Sequence, residues 1–531
     1  MIAALACIET GETMTHDLNR RGFVTGLGAT AAAATLPQPG AHATDTPATS
    51  PYRTATDLLH ALAARQVSAR DLLDAAIARI EALDPKINAV VVRDFDRAST
   101  AAADADAALA RGDRRPLLGL PMTVKEQFNV AGLPTTWGFE KFRDWRPDFD
   151  SLAVQRLKAA GAIILGKTNV PEGLNDWQSY NPVYGTTNNP WNLGRSPGGS
   201  SGGAAAALAA GFVPLELGSD IGGSLRCPAH FCGVFSHKTS LDLIPQRGSG
   251  YPETLPIPLV GDMAVIGPMA RSAADLALEL QVLAGPDELW DGIGYKLALP
   301  PPRHDTIEKY RVLVLETHPL CPTAHSVRSA LDSLAERLAT LGCTVAHTHP
   351  GMPDLARTTR NYCELLAAFF ADDQTPEEHL RREAAAASLS PDDLSLTAAW
   401  LRGITMTHTA WLRTSGIRQV LRARWQALFR EVDVILCPPM PTPAFPHDHS
   451  PHWTRRLDID GKNVAYDDQI VWSAVATSVG LPATVAPIGH SDGGLPIGVQ
   501  IIGGHLDDLT TIAFAGLIER AFGGFTPPPN L

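Results

Sequence analysis

The sequence predicts an α/β fold that contains at least one parallel pair of strands. A short apolar run at residues 312–315 is followed by apolar residues at helical spacing, and Gly342 stands where that helix would end. A second apolar run follows at residues 343–346. Strand, helix and strand at this spacing form a βαβ unit, whose two strands lie parallel. The apolar helical positions are Val327, Leu331, Leu334, Leu338 and Leu341.

Strand-like runs also lie on both sides of a long helical block. Residues 352–430 have a mainly helical pattern. The strand pattern returns afterwards at residues 434–436, 483–486 and 497–502. We therefore expect one continuous sheet with a helical insertion, rather than two independent domains.

Further elements are expected in the first third of the chain. Ser68 stands where a helix N-cap would, directly before an amphipathic pattern. An alanine-rich helix is expected near residues 99–110, and a buried strand at residues 162–165 after Gly161.

Composition and charge exclude several classes of protein. The chain has 531 residues, 45% hydrophobic and 19% charged, which is typical of a globular protein with a large core. The net charge of −12, without any long run of Lys and Arg, argues against a nucleic-acid partner. No apolar run approaches the ~20 residues that a membrane-spanning helix needs, so no stable membrane insertion is expected.

Residues 1–43 have the features of a twin-arginine export signal. Arg20 and Arg21 precede a small-residue apolar run at residues 24–36, and residues 41–43 have the Ala-x-Ala form of a cleavage site. This order predicts a periplasmic or secreted protein. The alternative is a cytoplasmic protein with an unstructured N-terminal tail.

The Thr-, Pro- and Ser-rich residues 44–51 are predicted to be a linker, and residues 52–531 a single folded domain. Met14 is an alternative start that would shorten the leader.

The cysteines beyond the leader define neither a zinc pattern nor a small disulfide framework. We expect them to be mostly buried thiols. They are Cys227, Cys232, Cys321, Cys343, Cys363 and Cys437.

Residues 161–168 match the spacing of a phosphate-binding loop, Gly-x4-Gly-Lys-Thr. Such a loop needs flexible backbone between a strand and a helix. The four intervening residues, Ala-Ile-Ile-Leu, favour a strand, and Pro171 follows without a clear helix. We therefore expect no nucleotide site here.

Two glycine-rich segments each present a serine. Ser200 lies in GGSSGG, directly before the alanine-rich residues 204–210, so it stands where a helix would begin and expose free N–H groups. Ser224 follows Gly222 and Gly223. Glycines allow neighbouring N–H groups to point at one position, as an oxyanion hole requires.

A serine hydroxyl is a poor nucleophile until a base removes its proton. No Gly-x-Ser-x-Gly elbow surrounds Ser224, and His230 and His237 lie in no recognisable triad context. Lys125 is the better candidate base, because burial behind residues 118–124 would favour its neutral form. A surface or salt-bridged position is the alternative for this lysine.

Five segments, in this order, resemble those of the amidase signature family of serine hydrolases. They are TVKEQFNV, GKTN, NNPWNLGRSPGGSSGG, LELGSDIGGSLRCPAHFCGV and LPIGVQIIGG. The resemblance extends from about Thr54 to the Pro-rich C-terminal end, and it departs from the family pattern at residues 238–240 and 503–504.

The resemblance implies an α/β/α sandwich around a central mixed β-sheet. It also implies a Ser–Ser–Lys triad with Lys125 as general base, Ser200, in a cis peptide, as bridging serine and Ser224 as nucleophile. The backbone N–H groups that it assigns to the oxyanion hole are those of Ile221, Gly222, Gly223 and Ser224.

Trp177, Gln178 and Tyr180 lie just before the serine-rich segment and are predicted to line part of the acyl pocket. Packing in the core is the alternative.

A His-rich tract near residue 450 has no companion carboxylate or cysteine pattern, so we expect a solvated loop and no metal site. Its histidines are His447, His449 and His452.

The expected activity is hydrolysis of a carboxamide, R–CO–NH2 or R–CO–NHR′, to acid and ammonia or amine through an acyl-enzyme on Ser224, without metal or cofactor. Two alternatives are a glutaminase-type subunit of an amidotransferase complex and an inactive binding protein on the same scaffold. The expected partner is a small-molecule amide, whose identity the sequence leaves open. The oligomeric state is also open, with a homodimer as one candidate.

Overall fold

The computed structural model describes residues 50–257, 261–371, 374–529 and 531. The predicted export signal at residues 1–43 lies outside these ranges, as does the predicted linker apart from its last two residues. The described chain belongs to one compact unit, Pro47–Leu531.

The strands are β1 (Val90–Arg93), β2 (Pro121–Lys125), β3 (Ile163–Thr168), β4 (Tyr180–Asn181), β5 (Gly185–Thr186), β6 (Leu215–Asp220), β7 (Phe235–Lys238), β8 (Val265–Ala270), β9 (Arg311–Val314), β10 (Thr344–Ala346), β11 (Val434–Cys437), β12 (Arg456–Ile459), β13 (Lys462–Ala465), β14 (Ala483–His490) and β15 (Pro496–Ile502). The α-helices are α1 (Ala55–Ala63), α2 (Ala69–Ile87), α3 (Phe95–Ala110), α4 (Leu152–Ala159), α5 (Gly202–Ala209), α6 (Arg226–Cys232), α7 (Ala273–Leu283), α8 (His325–Thr340), α9 (Leu355–Phe369), α10 (Pro376–Ala387), α11 (Leu396–Ile404), α12 (His408–Leu428), α13 (Val471–Thr477) and α14 (Asp508–Phe522).

Eleven strands form one mixed sheet in the order β1-β3-β2-β6-β8-β7-β14-β15-β11-β9-β10. β2 lies parallel to β3 and β6, and β9 lies parallel to β10 and β11. The other neighbours are antiparallel. The predicted continuous mixed sheet is therefore confirmed.

Both faces of this sheet are covered. Every residue of β2, β3, β8, β11 and β15 is buried. Alternate side chains of a strand point to opposite faces, so complete burial requires packed layers on both sides. This is the three-layer α/β/α arrangement that the resemblance implies.

The local predictions are confirmed with small shifts at the ends. Ser68 caps α2 and forms a capping box with Asp71. The βαβ unit is β9, α8 and β10, and its strands pair in parallel. The apparent phosphate-binding loop lies largely within β3, where residues 163–168 are extended.

The helical insertion is α9 to α12, between β10 and β11. Its helices pack on one another and against α13, and α9 contributes Tyr362 to a second apolar core. This insertion lies close to the site described below, because Tyr362 contacts the loop after β6.

The six cysteines after the leader are buried and unpaired, as predicted. No helix among the described residues is long and apolar enough to cross a membrane.

Candidate active site

Lys125 ends strand β2, next to the carboxyl end of β6. The two strands are parallel neighbours, with Thr123 opposite Glu216, so their carboxyl ends meet at the same edge of the sheet. Ligand sites of α/β sheets lie at this edge. The Lys125 side chain is fully buried, and its Nζ donates to Ser219 Oγ at 2.9 Å.

The loop before α5 brings Ser200 onto the same lysine. Lys125 Nζ and Ser200 Oγ are 2.6 Å apart. The Gly199–Ser200 peptide bond is cis, as the resemblance implies. A Cβ atom on Gly199 would lie 2.3 Å from the carbonyl oxygen of Asp176, so the loop passes its neighbour too closely for a side chain. α5 begins directly afterwards with Ser201 as N-cap, where the sequence predicts a helix start.

Asp220 shapes the tight turn that presents Ser224. Its carboxylate accepts the N–H of Gly223 at 2.9 Å and the N–H of Leu225 at 3.0 Å, while Gly223 adopts a φ of +97°. The guanidinium of Arg226 pairs with the same carboxylate at 2.7 Å, and both side chains are fully buried. Burial alone would raise the pKa of Asp220, but Arg226 holds it below its usual value. The turn therefore rests on an ionised carboxylate.

The four N–H groups assigned to the oxyanion hole differ in availability. The N–H of Gly223 is already donated to Asp220. Those of Ile221, Gly222 and Ser224 have no acceptor within residues 50–257, 261–371 and 374–529. Three donors are therefore free for a ligand oxygen, and Gly223 contributes its conformation instead.

Two large side chains fix the peptide planes of this turn. Tyr362 donates its hydroxyl to the carbonyl of Ile221 at 2.6 Å, and the indole of Trp177 donates to the carbonyl of Gly222 at 2.9 Å. The C=O and N–H of a trans peptide point in opposite directions. The N–H of Gly222 therefore points away from Tyr362.

Burial lowers the pKa of Lys125 to about 7, although the negative charge of Asp220 opposes this shift. A buried ammonium loses hydration, so the neutral amine is favoured. At neutral pH a large fraction of Lys125 is uncharged and has a lone pair next to Ser200.

The serine after the glycine turn is joined to the loop of Ser200. The N–H of Ser201 donates to the carbonyl of Ser224 at 3.1 Å. Ser224 is 7% exposed, and its hydroxyl makes no hydrogen bond with any described residue. Its oxygen is therefore not engaged by another described side chain.

The family model for amidases matches residues 71–512, most of the chain. The chain belongs to the amidase signature family.

Three relatives of this amidase-family chain illustrate the range of similarity. A glutamyl-tRNA(Gln) amidotransferase subunit of Roseiflexus castenholzii is 31% identical over 494 residues, which cover 88% of this chain and 96% of the relative. A chain of a vestigial complex linked to the evolutionary origins of an s-triazine catabolic enzyme has 30% identity and a TM-score of 0.74, with 89% and 99% coverage. A bacterial aryl acylamidase of the amidase signature family has 25% identity and a TM-score of 0.73, with 89% and 96% coverage.

The residues predicted to line the acyl pocket of this amidase-family chain have different surroundings. Trp177 contacts the turn before Ser224 directly. Gln178 exchanges two hydrogen bonds with the backbone of Asp448, at 2.8 and 2.9 Å. Tyr180 accepts a hydrogen bond from Arg455 at 2.6 Å. Trp177 thus lies beside the candidate nucleophile, while Gln178 and Tyr180 hold the segment around residue 450.

The His-rich tract lies in a loop in which none of residues 446–452 is fully buried, as expected, and two of its histidines also contact neighbouring side chains. His449 stacks on Tyr180 with ring centroids 3.9 Å apart, and His452 pairs with Asp467 at 3.1 Å. His447 is half-buried. Within the described ranges no group of His, Cys, Asp and Glu side chains is arranged to hold a metal ion.

Four residues of the site were not singled out by sequence reasoning: Gln127, Ser219, Asp220 and Arg226. Asp220 and Arg226 lie on either side of the glycine turn, and opposite charges flanking a buried turn could have indicated their pairing. The Ser219 hydroxyl donates to the side-chain carbonyl of Gln127. Nothing in the sequence indicates this contact, because Gln127 lies in the turn after β2 and Ser219 lies in β6.

Proposed function

We propose that this protein hydrolyses carboxamides through an acyl-enzyme on Ser224. The observation that carries the proposal is the buried contact between Lys125 Nζ and Ser200 Oγ at 2.6 Å, next to a turn with three unused N–H groups. Membership of the amidase signature family supports cleavage of a C–N bond of this type.

In the first half-reaction, neutral Lys125 accepts the proton of Ser200 while Ser200 accepts the proton of Ser224. The Ser224 oxygen attacks the amide carbonyl, and the negative charge on the carbonyl oxygen is stabilised by the free N–H groups of Ile221, Gly222 and Ser224. The proton then passes through Ser200 to the leaving nitrogen. The C–N bond breaks, and ammonia or an amine leaves.

In the second half-reaction, water attacks the ester on Ser224. Lys125 again accepts a proton through Ser200 and returns it to the Ser224 oxygen as the ester bond breaks. Every proton that is taken up is returned, so the two half-reactions leave Lys125, Ser200 and Ser224 as they began.

A second candidate is the role of the relative from Roseiflexus castenholzii, one component of an amidotransferase. The alignment of this relative with the chain favours the second candidate, because it covers 88% of this chain and 96% of the relative. A solved structure that is 25% identical to this chain is a bacterial aryl acylamidase, which favours a hydrolase. The chemistry at Ser224 is the same in both cases, and the difference is whether ammonia is released to water or passed to a partner.

The twin-arginine export signal predicted at residues 1–43 favours the hydrolase. Transfer chemistry on tRNA is cytoplasmic, so a protein that leaves the cytoplasm could not serve it. An inactive binding protein on this scaffold is less favoured, because Lys125, Ser200 and Ser224 are all present.

The test is turnover by the isolated chain. Purified protein is incubated with an aryl amide such as an anilide and, separately, with glutamine, and the released amine or ammonia is measured. Cleavage of the anilide supports the hydrolase, and cleavage of glutamine alone supports the amidotransferase role. Ser224→Ala should lose several orders of magnitude in kcat, while Ser329→Ala, an exposed serine on α8, should not. Equal activity of Ser224→Ala and the unmodified protein would refute the acyl-enzyme.

A further inference from the structure

Lys125 has a second hydroxyl partner that the proposed reaction does not use. Its Nζ donates to Ser219 Oγ at 2.9 Å, and the Ser219 hydroxyl in turn donates to the side-chain carbonyl of Gln127. Gln127 is 7% exposed, so its amide lies inside the protein. Gln127, Ser219 and Lys125 thus form a chain of hydrogen bonds that leads to the candidate base.

The direction of each hydrogen bond follows from the groups involved. A serine hydroxyl has one proton, and an amide carbonyl can only accept. Once the Ser219 proton is held by Gln127, Ser219 can only accept from Lys125. A neutral amine has two N–H groups and one lone pair, so an N–H directed at Ser219 leaves the lone pair free for Ser200.

We propose that Gln127 is a positioning residue for amide cleavage, because its side-chain carbonyl fixes the Ser219 proton and thereby directs the lone pair of Lys125 towards Ser200. The inference rests on the proposed function of Lys125 as base. Without the carbonyl of Gln127, the Ser219 hydroxyl can rotate and donate to the lone pair of Lys125, in competition with Ser200.

The arrangement suits both protonation states of the lysine. When Lys125 takes up a proton, its ammonium donates to Ser219 as before and to Ser200 through the new N–H. The Ser219 contact therefore does not have to rearrange during the reaction, which is what preorganisation requires.

The charged groups around Lys125 do not orient its amine, so its orientation depends on hydrogen bonds to neutral groups. Asp220 acts on the lysine from the loop after β6, but its charge is balanced by Arg226. The carboxylate of Glu126 is directed elsewhere and accepts from the backbone N–H groups of Thr136 and Trp137. Burial raises the pKa of Glu216, on the neighbouring strand, to about 8, which leaves it largely uncharged at neutral pH.

The experiment compares two substitutions of similar size at one position. Gln127→Met removes the carbonyl, and Gln127→Glu keeps an accepting oxygen and adds a negative charge. Both leave the backbone carbonyl of Gln127, which accepts from the indole of Trp137, in place. Gln246→Met is the matched control, because Gln246 is a partly buried glutamine away from the triad whose Nε2 donates to a backbone carbonyl. For each variant, kcat and kcat/KM for the anilide are measured between pH 5 and pH 10.

We expect Gln127→Met to lower kcat about tenfold, the scale of one hydrogen bond, with little change in KM. Its acid limb should move to lower pH, because a hydroxyl that donates to the lone pair stabilises the neutral amine. Gln127→Glu should keep its activity at high pH and move the acid limb to higher pH, because the new charge favours the ammonium. Gln246→Met should match the unmodified protein in both respects.

Ser219 provides an independent test. Ser219→Thr keeps the hydroxyl and should retain activity, whereas Ser219→Ala removes the acceptor of the Lys125 N–H and should lower both kcat and the pH of the acid limb. The proposal is overturned if Gln127→Met behaves like the unmodified protein, or if both Gln127 variants move the limb in the same direction, as a purely structural role would. If the unmodified protein cleaves no amide, the proposed function fails and this inference fails with it. An active unmodified protein with unaffected Gln127 variants refutes the inference alone.

Discussion

The pH dependence of amide cleavage should identify the base. Lys125 can act only when it is neutral, and burial lowers its pKa to about 7 from 10.5. An ordinary lysine would be neutral in only about one molecule in 3,000 at pH 7, whereas Lys125 is neutral in about half of the molecules. Burial thus supplies roughly a thousandfold more of the active form at neutral pH.

This predicts the shape of the profile. kcat/KM should be constant well above pH 7 and fall tenfold for each pH unit below it, so that the rate at pH 5 is about 100-fold below the plateau. The profile is measured with an anilide from pH 4.5 to pH 10, at a temperature where circular dichroism shows the protein to be folded throughout. Lys125→Met should lose several orders of magnitude in rate and also lose the limb.

Lys238 and His230 could also produce an acid limb, and each has a different signature. Lys238 is also fully buried with a pKa of about 7, so Lys238→Met should keep the limb if Lys125 is the base. Burial lowers the pKa of His230 to about 4, so a profile that stays flat down to about pH 5, without a limb near pH 7, would indicate a histidine mechanism. A limb that survives in Lys125→Met with the original rate would refute the assignment.

Three further predictions address the relay, the leader and the core. Ser200→Ala should lower kcat strongly, but less than Ser224→Ala does, because a water molecule can partly replace the relaying hydroxyl. The variant that carries both substitutions should have a kcat little below that of Ser224→Ala alone. Replacing Arg20 and Arg21 by Lys should retain the protein in the cytoplasm, and a cytoplasmic location of the unmodified protein in cell fractionation would contradict the export signal. Burial raises the pKa of Glu216 from 4.5 to about 8, so its stabilising protonated form is lost as pH rises through that range. The free energy of unfolding of Glu216→Gln, relative to that of the unmodified protein, should therefore rise by up to about 5 kcal/mol between pH 4.5 and pH 8. Urea unfolding measures this difference, and an equal difference at the two pH values would contradict the prediction.

The parts of the fold that could be predicted are those with a strong local pattern. α8 between β9 and β10 has a regular apolar spacing and a glycine at its end, and α2 has a complete N-cap signal. β8 has no such signal. It lies in the interior of the sheet, between β6 and β7, and contains Pro268, which normally argues against a central strand. Its position depends on pairing partners that are distant in sequence.

At the candidate active site, too, the residues that could be predicted are those with a distinctive local pattern. Ser200 and Ser224 stand among glycines that are visible in the sequence, and family resemblance gives Lys125. Ser219 and Gln127 were missed because a serine and a glutamine have no distinctive pattern. Their role depends on which proton each group holds, and that is fixed only when β2 and β6 lie side by side.

The three buried lysines explain why a low pKa alone does not identify the base. Burial lowers the pKa of Lys125 and Lys238 to about 7 and that of Lys167 to about 8. Lys238 donates to two backbone carbonyls, and Lys167 donates to one carbonyl and to the fully buried hydroxyl of Thr135. A carbonyl has no proton to give, so Lys238 cannot receive one from its partners. Lys125 contacts the hydroxyls of Ser200 and Ser219. The loop of Ser200 is hydrogen-bonded through its backbone to the carbonyl of Ser224. The type of partner, in addition to the pKa, therefore makes Lys125 the candidate base.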